Sequence, residues 1–496
     1  MYWLLRYGFA DPLSSPLKAA GLALFIHTFP LAARSTVFRR RLSGEKESWW
    51  MSYCFLWIVA LIITAALGRI VPMVGFSAYP ALGLIGLATF VVVVVQWLRS
   101  ARWWRSLIVI AGAGAFSFWI SGVEWGRIYK NPLYLENFIL NGNVHHDTMQ
   151  IIGVANMLRT YGVASPGIDG LNYVPWHWGS TWFFAQCANL LGLSALDVYQ
   201  LVFPVVTIPL FFCAPLAFAV AMRKRRGGPD AFIELRDDFR FWGVFLAACV
   251  GFLPIAALDA MGVWTSNLVI SDSYTFGVPC ALLFLATCIA FYDSHSSRDR
   301  ISDTLFILVA IPAGIVGLGY LKSSLMILAF ALAAYAFIRL RLYQRRLYIA
   351  SLAMSAVSVY LAYHRVVLPA HNEGLSPFDF LWSFVKPAWW PFFPFVHLFW
   401  SWLFVVLRLR LEGIGTLTDL KDAIEERRIL DVECVAVVAI LGLIPGLVIH
   451  IDGGSAFYFS DVQRWLSLVF LLSWLPAIMR SFAAEAPPLP KKGVSK

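Results

Sequence analysis

A polar stretch of the chain, residues 141–182, contains the residue types best suited to chemistry. It gathers five acid–base side chains between apolar segments: His145, His146, Asp147, Asp169 and His177. Asp147 is the main candidate, because a carboxylate can act as a general base on a hydroxyl when a neighbouring imidazole keeps it ionised and oriented. Asp is also a favoured helix N-cap, so the alternative role of Asp147 is to cap a helix that begins at Thr148.

Other roles for these acid–base side chains remain open. The two histidines before Asp147 are weak candidates for a zinc site, since adjacent His side chains diverge and no partner follows at helical spacing. A divalent cation held by Asp147 together with a substrate phosphate is a second possibility. His177, within Trp-His-Trp-Gly, is either an interfacial residue or a substrate contact. Glu124 and Asp169 are secondary acidic candidates.

Two basic residues elsewhere in the chain are candidates for binding a phosphate. Lys322 lies in Gly-Tyr-Leu-Lys-Ser-Ser between two apolar segments, where a lysine either extends to the interface or binds a lipid-linked phosphate. Arg464 immediately precedes the predicted start of the last spanning helix, and its guanidinium can hold a phosphate through two hydrogen bonds. Gln463 beside it is a further candidate substrate contact. The alternative for Arg464 is a structural pair with Asp461, three residues earlier.

The composition identifies the scaffold that must position these residues. Of 496 residues, 59% are apolar and only 14% are charged, which excludes an ordinary soluble protein. The fold class expected is an all-α, polytopic transmembrane helix bundle, with the lipid bilayer as a partner. The net charge of +10 is interpreted by position along the chain and not as a sign of nucleic-acid binding. The seven cysteines have no metal-ligand spacing and are predicted to be small core residues.

About thirteen apolar segments qualify as membrane-spanning helices, within a range of 11–14. Their approximate bounds are 17–34, 51–72, 77–97, 106–123, 196–222, 241–260, 274–292, 304–319, 323–338, 348–365, 390–407, 431–450 and 464–480. With these spans every loop rich in Lys and Arg falls on one face, which is predicted to be cytoplasmic. The opposite face, periplasmic in a bacterium, receives the loop 124–195, the longest in the chain.

The long loop is predicted to contain two helices. One covers Met149 to Tyr161 and lies on the membrane surface, with one apolar stripe made of Met149, Ile152, Ala155 and Leu158. The other, Trp182 to Leu193, is apolar but too short to span and is predicted to be a surface or re-entrant helix. The chain then divides into an N-terminal transmembrane extension (1–105), helices flanking the loop (106–222), the remaining transmembrane helices (223–480) and a disordered cytoplasmic tail (481–496).

Five short stretches together resemble multi-spanning bacterial glycosyltransferases of the GT-C class. They are HHDTMQIIGVANMLRTYG, YVPWHWGSTWFFAQ, ISDSYTFGVP, GYLKSS and FYFSDVQRW. The resemblance covers roughly residues 120–330 and 455–480. It implies an inverting enzyme of the inner membrane that moves a sugar from a polyprenyl-phosphate carrier to a glycan, lipid or protein acceptor at the periplasmic face. No nucleotide cofactor is expected, in keeping with the lack of a P-loop or dinucleotide motif.

The resemblance also implies roles for individual residues. Asp147 would be the catalytic base, assisted by His145 and His146, and Lys322 and Arg464 would lie near the carrier phosphate. The chain departs from the class in two respects. About four apolar segments precede the acidic loop, and His-His-Asp stands where many members have paired acidic residues.

Two alternative functions are compatible with the same scaffold. A lipid-linked glycan polymerase or ligase would rely chiefly on arginines for the diphosphate, and the outer loops are poor in arginine. A flippase or transporter of lipid-linked sugars would favour charged residues in the middle of spanning helices, and few are evident. The transferase hypothesis requires Asp147, Lys322 and Arg464 to converge on one outward-facing cavity.

Overall fold

The computed structural model describes ten main stretches of the chain, with isolated residues between them. These stretches are 14–36, 52–75, 77–99, 146–167, 177–227, 271–294, 300–367, 374–384, 387–450 and 457–485. Of the predicted site residues, Glu124, His145 and Asp169 lie outside the described residues, and so do the side chains of His146 and Asp147. The predicted span 241–260 and most of 106–123 also lie outside them.

Helices dominate the described part of the chain. In chain order they are α1 Ser14–Thr36, α2 Tyr53–Val74, α3 Tyr79–Leu98, α4 His146–Thr160, α5 Gly179–Leu191, α6 Phe203–Gly227, α7 Asp272–Ser294, α8 Ile311–Leu321, α9 Ser323–Arg339, α10 Arg346–Ala362, α11 Phe393–Leu411, α12 Leu417–Glu425, α13 Leu430–Val448 and α14 Phe457–Glu485.

Shorter elements extend or connect these helices. They are the helical turns Ala195–Asp197, Arg300–Leu305 and Asp379–Phe384, the π-helical turns Val198–Val202, Phe306–Ala310 and Tyr363–Val367, and the 3₁₀ turns Leu342–Gln344 and Pro387–Phe392. The strands described are β1 Gly374–Leu375 and β2 Ile449–His450, which pair antiparallel with Gly374 opposite His450.

The described helices agree with the expected membrane protein. Nine helical segments among the described residues are long and apolar enough to cross a bilayer. Eleven of the predicted spans coincide with described helices, because the long apolar runs fold as helices almost where the sequence places them. Among these eleven, α9 is a shorter apolar helix of 17 residues. The total of thirteen spans remains a prediction.

The centre of the bundle is formed by α6, α7 and α14, which are the most buried of the spanning helices. Large aromatic side chains fill the space between them. Phe211 of α6 packs edge-on against Trp465 of α14 with ring centroids 5.1 Å apart, and Phe211 also contacts Tyr274 of α7 at 6.4 Å. The helices α3 and α10 are mostly exposed, as expected of helices that face lipid.

The long loop contains the two predicted helices, with one correction to each. In α4, Ile152, Ala155 and Leu158 are buried as predicted, but Met149 is 44% exposed and Val154 is buried in its place. The second helix, α5, begins at Gly179, and ten of its thirteen residues are buried. An exposed surface helix is therefore wrong for α5, because the helix packs within the bundle against α2, α4 and α7, and the re-entrant alternative stays a prediction.

One arginine fixes α4 alongside α5. Arg159, in the last turn of α4, donates from Nε to Asn189 Oδ1 at 3.1 Å and from a terminal nitrogen to the Leu193 carbonyl at 2.7 Å. Both acceptors lie at the C-terminal end of α5. At the other end of the pair, Ile152 of α4 and Thr181 of α5 line one small cavity. The two helices therefore run side by side in the same direction.

The bundle has two distinct ends, named here by one buried cation at each. The Lys322 end carries the start of α9 and the start of α14, and the Arg408 end carries the last turn of α11 and the start of α13. Both α9 and α14 run from the Lys322 end to the Arg408 end. From Tyr458 to Trp474 the axial rise along α14 is about 24 Å, the scale of a membrane core.

Candidate functional site

Lys322 is a one-residue break between two helices. It has an extended backbone (φ −162°, ψ 126°) between the end of α8 and the start of α9. Its N–H donates to the Leu318 carbonyl at 2.7 Å, and its own carbonyl accepts from the Leu325 N–H at 3.0 Å.

The π-helical turn that leads into α8 lies at the other end of the bundle, where Phe306 stacks on Phe291 near the end of α7 with centroids 4.3 Å apart. The end of α9 also lies there, since Arg339 pairs with Glu433 of α13. The chain therefore reverses its direction at Lys322.

The ammonium of Lys322 is buried and has few partners. The residue is 5% exposed, its Nζ lies 3.2 Å from His177 Nε2, and it lies 3.6 Å from the centroid of the Tyr458 ring. Lys322 forms no ion pair with any residue in the part of the chain that the structure describes. Burial lowers the pKa of Lys322 to about 7, and the nearby carboxylate of Asp272 opposes part of that shift. Near neutral pH this lysine is therefore divided between its charged and neutral forms.

Two glycines allow neighbouring helices to approach this break closely. A Cβ added to Gly179, the first residue of α5, would lie 2.8 Å from the carbonyl oxygen of Tyr320. A Cβ added to Gly277 of α7 would lie 2.7 Å from a methyl carbon of Leu325. A larger residue at Gly179 would meet backbone and force α5 away from α8, whereas at Gly277 the side chain of Leu325 would have to move. The glycines therefore bring the starts of α5 and α7 against the α8–α9 break.

Four helices begin at this place: α5, α7, α9 and α14. A helix N-terminus presents unbonded N–H groups and a partial positive charge, and both favour a bound anion. Lys322 adds a further donor at their centre. The combination is suited to a phosphate or a similar oxyanion.

A carboxylate lies beside this positive region. Asp272, in the first turn of α7, is 6% exposed and accepts a hydrogen bond of 2.9 Å from Ser180 Oγ of α5. The same carboxylate residue lines the small cavity under α4 together with Ile151 and Thr181. The site thus combines a cation, an anion-favouring backbone and an acid–base group.

A second buried charged pair lies deeper in the bundle. Arg464 contacts Asp461 Oδ1 at 3.3 Å, and both side chains are buried, so the predicted structural pair between them is confirmed. The sequence placed Arg464 at the start of the last spanning helix. Because α14 begins at Phe457, Arg464 lies two turns inside this helix. Its Cα is about 9 Å further along the axis than that of Tyr458. Tyr274 lies between Lys322 and the Asp461–Arg464 pair. Its ring is 5.4 Å from that of Tyr458, which contacts Lys322, and its hydroxyl is near Asp461 and Arg464.

Gln463 has a different environment from the residues around Lys322. Its amide nitrogen donates to Ser401 of α11 and, at 3.2 Å, to Ser467 Oγ. The Cβ atom of Gln463 packs against the backbone of Gly442 in α13. The structure therefore places Gln463 in the contact between α14 and two neighbouring helices, away from Lys322.

The position of Asp147 is described only through the backbone of α4. Asp147 belongs to the first turn of this helix, one turn before Ile151. Since α4 runs parallel to α5, the start of α4 lies towards the starts of α5 and α7, on the side of Asp272. The structure thus brings Lys322 against His177 and the second turn of α4 against Asp272, whereas contact between the Asp147 carboxylate and Lys322 stays a prediction.

The sequence did not single out Asp272, Ser180, Tyr274 or Tyr458 as site residues. Asp272 was visible only as the acidic residue of Ser-Asp-Ser, just before an apolar segment. Its partner Ser180 is 92 positions away, and such a distance in sequence hides the contact. Among the described residues, no three His, Cys, Asp or Glu side chains gather in a metal-binding cluster.

Comparisons with known proteins add nothing to this geometry. No family model, curated protein or solved structure matches the chain.

Proposed function

We propose that this chain is a membrane glycosyltransferase that moves a sugar from a polyprenyl-phosphate carrier to a hydroxyl of a glycan, lipid or protein acceptor. The observation that carries the proposal is Lys322: a buried ammonium, without a carboxylate bound to it in the described structure, where four helices begin. An unpaired buried cation destabilises a protein, and an anionic ligand would offset that cost. The phosphate of a lipid-linked sugar is such a ligand.

The chemistry of the proposed reaction needs two groups. The acceptor oxygen attacks the anomeric carbon, the bond from that carbon to the phosphate oxygen breaks, and the acceptor proton passes to a carboxylate. Lys322, assisted by the helix N-termini, would stabilise the charge that develops on the leaving phosphate. His177, 3.2 Å from Lys322 Nζ, would orient the ammonium.

Asp147 is the proposed general base, with Asp272 as the alternative. Asp147 belongs to the first turn of α4, whose next turn lines a small cavity with Asp272, and Asp272 is close to Lys322. The resemblance to GT-C enzymes favours Asp147. We place the reaction at the periplasmic face of the inner membrane, because the loops rich in Lys and Arg then lie in the cytoplasm.

Transport of a lipid-linked sugar is the second candidate function. The buried pair of Asp461 and Arg464, well inside α14, favours it, since charged residues within spanning helices often mark a substrate path.

A transfer assay with purified protein tests the proposal. The protein is reconstituted in vesicles with a panel of polyprenyl-phosphate sugars and candidate acceptors, and products are measured by mass spectrometry. Lys322→Met should reduce the rate by about 100- to 1000-fold, the usual loss when one donor to a developing anion is removed. The matched control is Lys421→Met, since Lys421 is exposed at the other end of the bundle.

The carboxylate variants identify the base. Asp147→Asn should abolish product, while Asp422→Asn, on the exposed helix α12, should leave it unchanged. Loss of product only in Asp272→Asn would transfer the role of base to Asp272. If the wild type forms no product but moves the labelled donor across the vesicle membrane, the transport function replaces the transferase.

A further inference from the structure

A cavity of about 270 Å³ lies far from Lys322, towards the Arg408 end of the bundle. Its walls are formed mainly by α7, α8, α9 and α10. The side chains that define it are mostly apolar and include Cys288, Ile315, Ala333, Ala336 and Leu352. An apolar cavity of this size between membrane helices is suited to a hydrocarbon chain.

Three of the polar groups in the wall of this cavity are bonded within the protein. Ser351 Oγ donates to the Ile307 carbonyl at 2.6 Å, and Ser355 Oγ donates to the Ser351 carbonyl at 2.8 Å. The Tyr335 hydroxyl donates to Glu433. The cavity therefore presents little polar surface to an occupant, which favours hydrocarbon over a polar solute.

A basic turn lies at one side of the cavity. Residues 339–346, Arg-Leu-Arg-Leu-Tyr-Gln-Arg-Arg, contain four arginines and no acid. Leu340 and Leu342 of this turn line the cavity. Arg339 is paired with Glu433 at 2.6 Å. Arg341 and Arg346 are exposed, and neither forms an ion pair within the described residues.

The surface around the turn is apolar. Ile338 is 68% exposed, and Leu347 and Ile349 are also exposed. Apolar side chains in such positions on spanning helices face lipid tails, so the cavity and its arginines lie where a membrane lipid can reach them. Basic pockets between transmembrane helices on the positive face are suited to anionic lipid headgroups.

We propose that this cavity binds one acyl chain of an anionic phospholipid, whose phosphate is held by Arg341 and Arg346. The occupant follows from two complementary features, an apolar cavity of hydrocarbon character and a turn that carries positive charge without an acid. The site is independent of the proposed glycosyl transfer and lies at the other end of the bundle. It would join α9 to α10 through a lipid.

Native mass spectrometry of the full chain in detergent tests this site. The probes are phosphatidylglycerol and phosphatidylcholine with identical acyl chains, titrated separately, and the measurement is the fraction of protein that retains one lipid. The wild type should bind phosphatidylglycerol in preference. The double variant Arg341→Gln, Arg346→Gln should lose roughly 25-fold of that preference, about fivefold for each arginine near a lipid phosphate.

The control replaces two cations of the same end that do not line the cavity. Lys421→Gln with Arg480→Gln removes the same charge and should keep the wild-type preference. Filling the cavity with Ala333→Phe should reduce binding of both lipids. Since a large side chain at this position can impair folding, the smaller change Ala336→Leu repeats the test, and size-exclusion profiles verify that each variant is folded.

Two results would overturn the proposal. One is equal retention of the two lipids by the wild type. The other is a preference for phosphatidylglycerol that the control double variant loses as strongly as Arg341→Gln, Arg346→Gln, because the effect would then reflect total charge and not this turn.

Discussion

The buried cations at the two ends of the bundle have different neighbours. At the Arg408 end, Arg408 is 1% exposed and contacts Glu412 at 2.6 Å and Asp431 at 3.1 Å, and its guanidinium lies 3.7 Å from the centroid of a Trp474 ring. At the Lys322 end, the lysine is buried to a similar degree and forms no ion pair among the described residues. Arg408 is in direct contact with two carboxylates, whereas Lys322 has, in the described part of the chain, only the carboxylate of Asp272 nearby and no salt bridge to it.

This difference separates structural charge from functional charge. A buried cation with matched carboxylates holds helices in register, and its partners leave no room for a ligand. A buried cation whose neighbours are an imidazole and an aromatic ring keeps its capacity to bind an anion. The comparison predicts that the Arg408 end controls stability and the Lys322 end controls activity.

The largest effect expected is on stability at the Arg408 end. Asp431→Ala removes one of the two carboxylates that pair with buried Arg408 and leaves Glu412, so it should destabilise the protein by about 1.5–3 kcal/mol. Denaturation of the detergent-solubilised protein measures the loss, with Asp422→Ala on exposed α12 as the control. Equal stability of the two variants would show that the Arg408 cluster is not structural.

At the Lys322 end the expected change in stability has the opposite sign. Folding lowers the pKa of Lys322 from its ordinary value to about 7, so between pH 7 and pH 10 the unfolded chain binds more protons than the folded one. Stability should therefore rise with pH across this window. Lys322→Met removes the buried charge, and should raise Tm at pH 7 by a few degrees and flatten the rise.

Thermal melts at pH 7 and pH 10 measure this effect, with Lys421→Met as the control for an exposed lysine. A lower Tm for Lys322→Met at pH 7 would mean that Lys322 stabilises the fold and that the two ends are alike.

The smallest expected loss of stability comes from the hydrogen bond between Tyr335 and Glu433, near the Arg408 end. Tyr335 donates to Glu433, which also accepts from Arg339 at 2.6 and 2.9 Å. Tyr335→Phe removes one of these donors and should cost about 1 kcal/mol, since the arginine still pairs with the carboxylate. Transfer activity should be unchanged. A large loss of activity in this variant would connect the two ends functionally.

The sequence predicted helices better than it predicted contacts. Long apolar runs located eleven of the described helices because hydropathy alone decides where a chain enters a membrane. Hydropathy did not predict the start of α14, because the polar residues Asp461, Gln463 and Arg464 suggested a loop there. These polar side chains are accommodated inside the bundle by one another and by serines of α11 and α14. Hydropathy cannot anticipate this pairing.

The site was predicted in part. Lys322 and His177 were identified from their positions beside apolar segments, and their contact across 145 residues was not. Asp272 was missed because its significance depends on Ser180 and on the close approach permitted by Gly179, neither of which has a local signal. Long-range packing, which brings four helix starts together, was the missing information.

The single residue that separates α8 from α9 limits how this protein can be engineered. One additional residue there would turn α9 by about 100° about its axis and move its core-facing side chains towards lipid. Tags, labels and length changes should therefore be rejected at this junction. Gly415, which is exposed in the turn before α12 and has no side-chain neighbour, offers a better position for an epitope.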